Sequence, residues 1–169
     1  MNSKIILNYG WQFLAYLLVQ VMVLNYIDFM GVATPYLFVL FLITLPTEIS
    51  TVSLMLIAFV MGLIVDVCSD TVGVNAFACV LMSYLKPRFC KLFAPADAEG
   101  EAPSFRSFGK GRFFQFALLM VLVHHFCFYL LENGTLIDLG GTLFKAFESS
   151  VFTMVLICCI EYFKYRHNR

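Results

Sequence analysis

The chain is expected to be an all-α membrane protein, a bundle of six transmembrane helices, and three observations carry that expectation. Hydrophobic residues make up 61% of the 169 residues and charged residues 13%, against roughly half and a quarter in soluble domains. The apolar residues gather into runs comparable to the roughly 17–25 residues that cross a hydrocarbon core as a helix. Counted as crossings, these runs place nearly all basic residues on one side of the membrane. The length makes one domain, 1–169, the default. A formal net charge of zero gives no reason to expect nucleic acid or another polyanion as partner.

The first helix is expected over 9–27. One lysine precedes it and no small-residue cleavage site follows, so it reads as a retained helix and not a removed signal peptide. Asp28 to Pro35 reads as a turn. Helix two is expected over 33–46, with its apolar part from Tyr36 to Leu45 and Pro46 as its stop. It is short for a crossing, and a re-entrant segment or a locally thinned bilayer are the alternatives. Helix three is expected over 51–67. Ser69, Asp70 and Thr71 in the following turn are residue types that cap a helix. Helix four is expected over 72–93, running on past Pro87. The stretch 94–112 is the one long polar segment, with Asp97, Glu99 and Glu101. Helix five is expected over 113–131 and helix six over 143–163, separated by the turn Glu132 to Thr135.

Orientation follows from the cations. With the N-terminus in the cytoplasm and six crossings, Lys4, Lys86, Arg88, Lys91, Arg106, Lys110, Arg112, Lys164, Arg166 and Arg169 all fall inside, and Lys145 alone of the 11 falls outside. Both termini and the 94–112 loop are therefore expected in the cytoplasm of a multi-pass protein of the cell inner membrane. Dropping one crossing from the first half would strand Lys4 or the basic loop, which supports the second run as a crossing. Asp28, Asp70, Glu132 and Asp138 form an acidic outer rim, with Asp66 and Glu148 near the outer ends of their helices.

The side chains offer little chemistry. The 6 cysteines, at 68, 79, 90, 127, 158 and 159, include no C-x-x-C pair; they read as small hydrophobes. His124 and His125 point about 100° apart on a helix and do not chelate together. Each is expected to bond a neighbouring helix, and no metal or cofactor is expected. Lys145 and Glu148 are spaced for a local ion pair. The aromatic residues, 17% of the chain, read mostly as lipid-facing bulk, with Tyr9, Trp11 and Tyr162 at the inner interface. No nucleophile–base pair, phosphate-cradling glycine loop or H-E-x-x-H occurs, so the chain is not expected to be an enzyme.

The most specific stretch is Met61 to Ala76. Ala58 and Gly62 form a small-xxx-small pair that lets another helix approach closely. Asp66, four residues after Gly62, lies on the same face. A carboxylate there needs water, a donor or a partner. Two readings stand: Asp66 ties the helix three–four hairpin together, or it contacts a ligand or partner. Donors are expected in the helix three–four turn or the opening turn of helix four: the free amides of that first turn, a backbone amide of residues 69–73, or Asn75.

These residues carry a resemblance. Pro35 opening helix two, and Gly62-Leu63-x-x-Asp66 followed by Gly73-Val74-Asn75-Ala76 across a short turn, resemble the rod-shape-determining MreD family. Tyr36 stands where that family often has an acidic or amide residue. The motif covers Pro35 to Leu85 and the topology covers the whole chain. The resemblance implies a non-enzymatic subunit of the bacterial cell-elongation machinery, involved in rod shape and peptidoglycan synthesis. It would bind the bitopic protein MreC and, through it, MreB filaments and the peptidoglycan synthases. It also implies a fold similar to the substrate-binding subunits of vitamin transporters, and a transporter subunit is the alternative function. Against that alternative, few polar groups converge (Asp66, Asn75 and Glu148), and Ala15 is followed by Val19 where a small-residue docking stripe would need alanine. The partner- or ligand-binding candidates are Ala58, Gly62, Asp66, Gly73, Asn75 and Glu148. The expected setting is the lipid bilayer; the oligomeric state stays open, a homo-oligomer included.

Overall fold

A computed structural model describes residues 3–27, 34–98, 100–134 and 139–167. Residues 28–33 of the expected turn Asp28 to Pro35 lie outside these residues, as do Glu99, Thr135, Asp138 and Arg169. The helices are α1 (Ser3–Met22, followed by a 3-10 turn at Leu24–Tyr26), α2 (Phe38–Thr44), α3 (Thr51–Ser69), α4 (Val74–Phe93), α5 (Lys110–Glu132) and α6 (Leu139–His167). No strand occurs among the described residues. Four segments, Leu7–Tyr26, α3, α5 and α6, are long and apolar enough to cross a membrane. The chain is an all-helical, multi-pass membrane protein. α4 is equally long, but Lys86, Arg88 and Lys91 load its second half with charge.

The elements run alternately up and down. Asn25, just past α1, donates to Ser69 Oγ at the end of α3 (2.8 Å), so α1 and α3 are parallel. Lys164 near the end of α6 donates to Tyr16 Oη of α1 (3.1 Å), with α6 running the other way. α3 packs on α4, α4 on α5 and α5 on α6, each an antiparallel neighbour joined by a short connection or by the 94–109 loop. One end of the bundle therefore carries the α3–α4 turn, and the other carries the loop.

The second helix departs most from expectation. Instead of 33–46 it covers seven residues, Phe38–Thr44, too few to cross a bilayer as a helix. Pro35 and the residues beside it do not join it, and Pro46 follows its C-cap Leu45. A non-helical lead-in covers more depth per residue than a helix, up to about 3.3 Å against 1.5 Å. Non-helical backbone inside a membrane must be satisfied by protein, and two side chains supply this. Gln20 Nε2 donates to the Pro35 carbonyl (3.1 Å), Gln20 Oε1 accepts from the Leu37 N–H (2.8 Å), and Thr153 Oγ1 accepts from the Tyr36 N–H (3.0 Å). His125 supports Thr153. The Val121 carbonyl accepts only, so Nδ1 of His125 carries the proton that reaches it (2.8 Å). Nε2 of a neutral ring then accepts from the Thr153 hydroxyl at 3.1 Å. The far end of α2 is held by Lys86, whose buried Nζ donates to the Leu42 and Leu45 carbonyls (2.8 and 2.7 Å). A cation suits the unpaired carbonyls of a helix C-terminus. Lys86 is thus a core residue of α4, not a loop cation.

Phe38 to Ile43 are all buried, as an apolar-all-round helix should be, and the core is built around them. Phe38, Phe113, Phe116 and Phe128 are among the largest buried side chains. Other aromatics, Phe59, Phe77, Phe144 and Phe147 among them, are exposed, as residues that face lipid would be. Trp11 and Tyr162 are exposed. The 94–109 loop is less polar in effect than in composition. Phe108 and Ala98 are buried in the core, Phe105 meets Phe113 edge-on at 5.3 Å, and the Thr47 N–H reaches the Glu101 carbonyl (3.4 Å). α6 begins before the expected 143, where Thr142 Oγ1 accepts from Asn133 Nδ2 (2.7 Å) across the α5–α6 turn. α5 begins at Lys110, inside the stretch expected to be loop.

Candidate functional site

The α3–α4 hairpin gathers most of the candidate residues. α3 ends with Asp70 in the left-handed region (φ 57°), its N–H bonded to the Asp66 carbonyl. The chain then passes Gly73, also left-handed (φ 76°), which is the N-cap of α4. Glycine adopts that conformation freely but has no side chain to cap the helix, so the first amides of α4 need an acceptor from elsewhere.

Asp66 is that acceptor. Its Oδ1 accepts from the Asn75 N–H (2.9 Å), from Asn75 Nδ2 (3.1 Å) and from the Thr71 hydroxyl (2.6 Å). Its Oδ2 accepts from the Ala76 N–H (2.9 Å). A carboxylate at the C-terminal end of α3 is disfavoured by that helix's dipole, but this one also sits at the N-terminal end of α4, where the dipole favours it. Asp66 is 2% exposed, and its four donors all come from its own chain. Asn75 was expected among them. The Ala76 amide belongs to the opening turn of α4, where donors were also expected; the fourth donor is the Thr71 hydroxyl and not a backbone amide of 69–73. Ser69, Asp70 and Thr71 do not act as the cap of α4 themselves.

Gly62 explains why the two helices come so close. A Cβ there would lie 2.6 Å from Ala76 Cα, 2.7 Å from Ala76 N and 2.8 Å from the Asn75 carbonyl oxygen. These are backbone atoms of α4 that no rotamer change can move. The close approach expected at Gly62 is therefore made by the chain's own α4. Ala58, one turn earlier, is fully buried.

Glu148 stands apart from the hairpin, on α6. Its Oε2 is buried without a hydrogen-bond partner, and no ion pair with Lys145 forms; the ion pair found among the described residues is Lys164–Glu161. Helical spacing permits the 145–148 contact but does not enforce it. His125 bonds α6 through Thr153, as expected of a helix-bridging histidine. His124 is fully buried with neither ring nitrogen bonded, and packs instead beside the Tyr36 and Phe38 rings, each centre 5.6 Å away. Among the described residues no group of three or more His, Cys, Asp or Glu side chains is placed to hold a metal ion. Sequence reasoning missed Gln20, Thr153 and the structural use of Lys86. The available signal was a lone amide or ammonium inside an apolar run, which in a membrane needs a partner.

A family model described as rod shape-determining protein MreD matches residues 4–95, more than half of the chain, from α1 through the hairpin to the end of α4. No curated protein and no solved structure gives a significant match.

Proposed function

Because the chain belongs to the rod shape-determining protein MreD family, we propose that it is a non-enzymatic inner-membrane subunit of the bacterial cell-elongation complex that acts by binding an MreC-like protein. The whole chain is one transmembrane domain that crosses six times, α2 with its lead-in making the second crossing. Both termini and the 94–109 loop lie in the cytoplasm. The cation distribution supports this orientation, with Arg106, Lys110 and Lys164 grouped around one cavity at the loop end.

The observation that carries the reading is the state of Asp66. All four of its contacts are to donors within the hairpin, so the most specific motif in the chain builds a rigid element rather than an open site. The transporter alternative would need those groups free to face a solute from outside. A partner must then be held by outer helix faces. α1 is the least covered of the spans, and Leu7, Trp11, Leu14, Leu18 and Met22 expose one side of it at helical spacing. That face suits the single transmembrane helix of a bitopic partner, with Asp70 and Glu132 exposed at the hairpin end for its juxtamembrane segment.

The test is co-purification of the full chain from native membranes followed by mass spectrometry, repeated with a photo-crosslinker at Leu14. An MreC-like protein captured at Leu14 is the expected result. Recovery of an ATPase with its coupling subunit would contradict the proposal.

A further inference from the structure

The loop end of the bundle holds two cavities that share one side chain, Tyr9. The first, of about 990 Å³, lies between the start of α1, the end of α2, the loop and the last turns of α6. Its charged side chains are Arg106, Lys110, Lys164 and Glu161. Glu161 is already engaged: Oε1 accepts from Lys164 Nζ (3.1 Å) and Oε2 from the Phe105 N–H (3.4 Å). It neutralises Lys164 and leaves Arg106 and Lys110 without a counter-charge. Lys110 Nζ lies 5.1 Å from the centre of the Tyr165 ring, a neutral neighbour, and Arg106 is exposed and makes no ion pair with a described residue.

The second cavity, of about 440 Å³, is a groove between α1, α2 and α3 with no charged side chain in its lining. Phe13, Phe41, Leu56 and Val60 form its walls, and Gly10 leaves one side open, since a Cβ there would meet nothing within 4 Å. A cationic chamber at the polar end of a membrane bundle thus adjoins, across Tyr9, an apolar groove along the helices. A free anion would use only the chamber, and an acidic peptide would have no use for the groove. An anionic headgroup followed by an acyl chain uses both.

We propose that this paired cavity binds an anionic phospholipid. The phosphate sits against Arg106 and Lys110, Tyr9 lies at the junction, and one acyl chain runs along the groove between α1 and α3. Charge-assisted hydrogen bonds to phosphate oxygens fix the headgroup, and the basic residues select against zwitterionic lipid.

Native mass spectrometry of the full chain, released from mild detergent after exposure to lipids with identical chains, tests this. Phosphatidylglycerol should be retained over phosphatidylcholine by about fivefold or more, the scale expected of one basic residue near a membrane surface. Arg106→Ala with Lys110→Ala should remove the preference. Arg88→Ala, which removes a charge from α4 outside the cavity, should keep it. Gly10→Leu, whose Cβ meets open space, should narrow the groove, leave the melting temperature unchanged and still reduce phosphatidylglycerol retention. Equal retention of the two lipids would overturn the proposal, as would an equal loss from Arg88→Ala. So would inorganic phosphate that displaces phosphatidylglycerol completely, or an acidic protein segment retained in its place.

Discussion

Asp66 has four donors around two oxygens, and that number decides what substitutions there do. Asp66→Leu strips the acceptor from the Asn75 and Ala76 amides together, at about 1–3 kcal/mol for each buried donor left unpaired. Asp66→Asn keeps one acceptor oxygen but turns an amide donor towards one of the N–H groups, so it should fall between wild type and Asp66→Leu. Thermal unfolding in detergent orders the three. Equal melting temperatures for wild type and Asp66→Leu would show that the clasp adds nothing to stability. The two glycines of the hairpin differ in cause. Gly73→Ala meets open space and suffers only from its positive φ, about 1–2 kcal/mol. Gly62→Ala drives a Cβ into the backbone of α4 and should cost about 1–3 kcal/mol, with Gly62→Leu worse. At this scale the sequence was partly legible. A small residue and an aspartate on one face pointed to a close approach and a buried acceptor. What was hidden was the contribution of the Thr71 hydroxyl, because a turn residue's side chain can face solvent as readily as the carboxylate.

α2 shows what an element owes to residues far from it in sequence. Its composition gave an apolar run with a proline at each end, which is equally a short helix, a re-entrant segment or a half-unwound crossing. The segment is held by Gln20 and Thr153, which are 17 and 117 residues from the amides they satisfy, and no local pattern announces such pairs. Thr153→Val keeps the shape and removes the hydroxyl. It should leave the Tyr36 N–H unpaired, lower stability by about 1–3 kcal/mol and speed amide exchange at 36–38 without changing it in α4. Gln20→Leu should do the same more severely, since it frees the Pro35 carbonyl and the Leu37 N–H together. Exchange at 36–38 that is indifferent to both substitutions would remove these side chains from the account. The four long spans were legible because period and length suffice when a helix has a lipid-facing side. α2 was not, because a helix buried all round has no amphipathic stripe.

For the whole molecule, the up-and-down order of the elements places the start of α1, the end of α6 and the described part of the 94–109 loop at one end. In a background lacking the native cysteines, a cysteine at position 101 should resist an impermeant thiol reagent added outside intact cells and react once the membrane is opened. Labelling from outside would invert the topology. The charge asymmetry that predicts this is readable in the sequence, although Lys86, one of the cations in that reading, belongs to the core. The packing of the loop is not readable, because Phe105 and Phe108 enter the bundle from a segment whose composition is polar. The proposal that the chain serves cell elongation is tested most directly by depleting it from the bacterium that encodes it and measuring cell width as growth continues. Depleted cells should lose their cylindrical form and widen, and wild-type protein should restore them, while Asp66→Leu does so only as far as its reduced stability allows. Depleted cells that keep a constant rod diameter over several generations would contradict it.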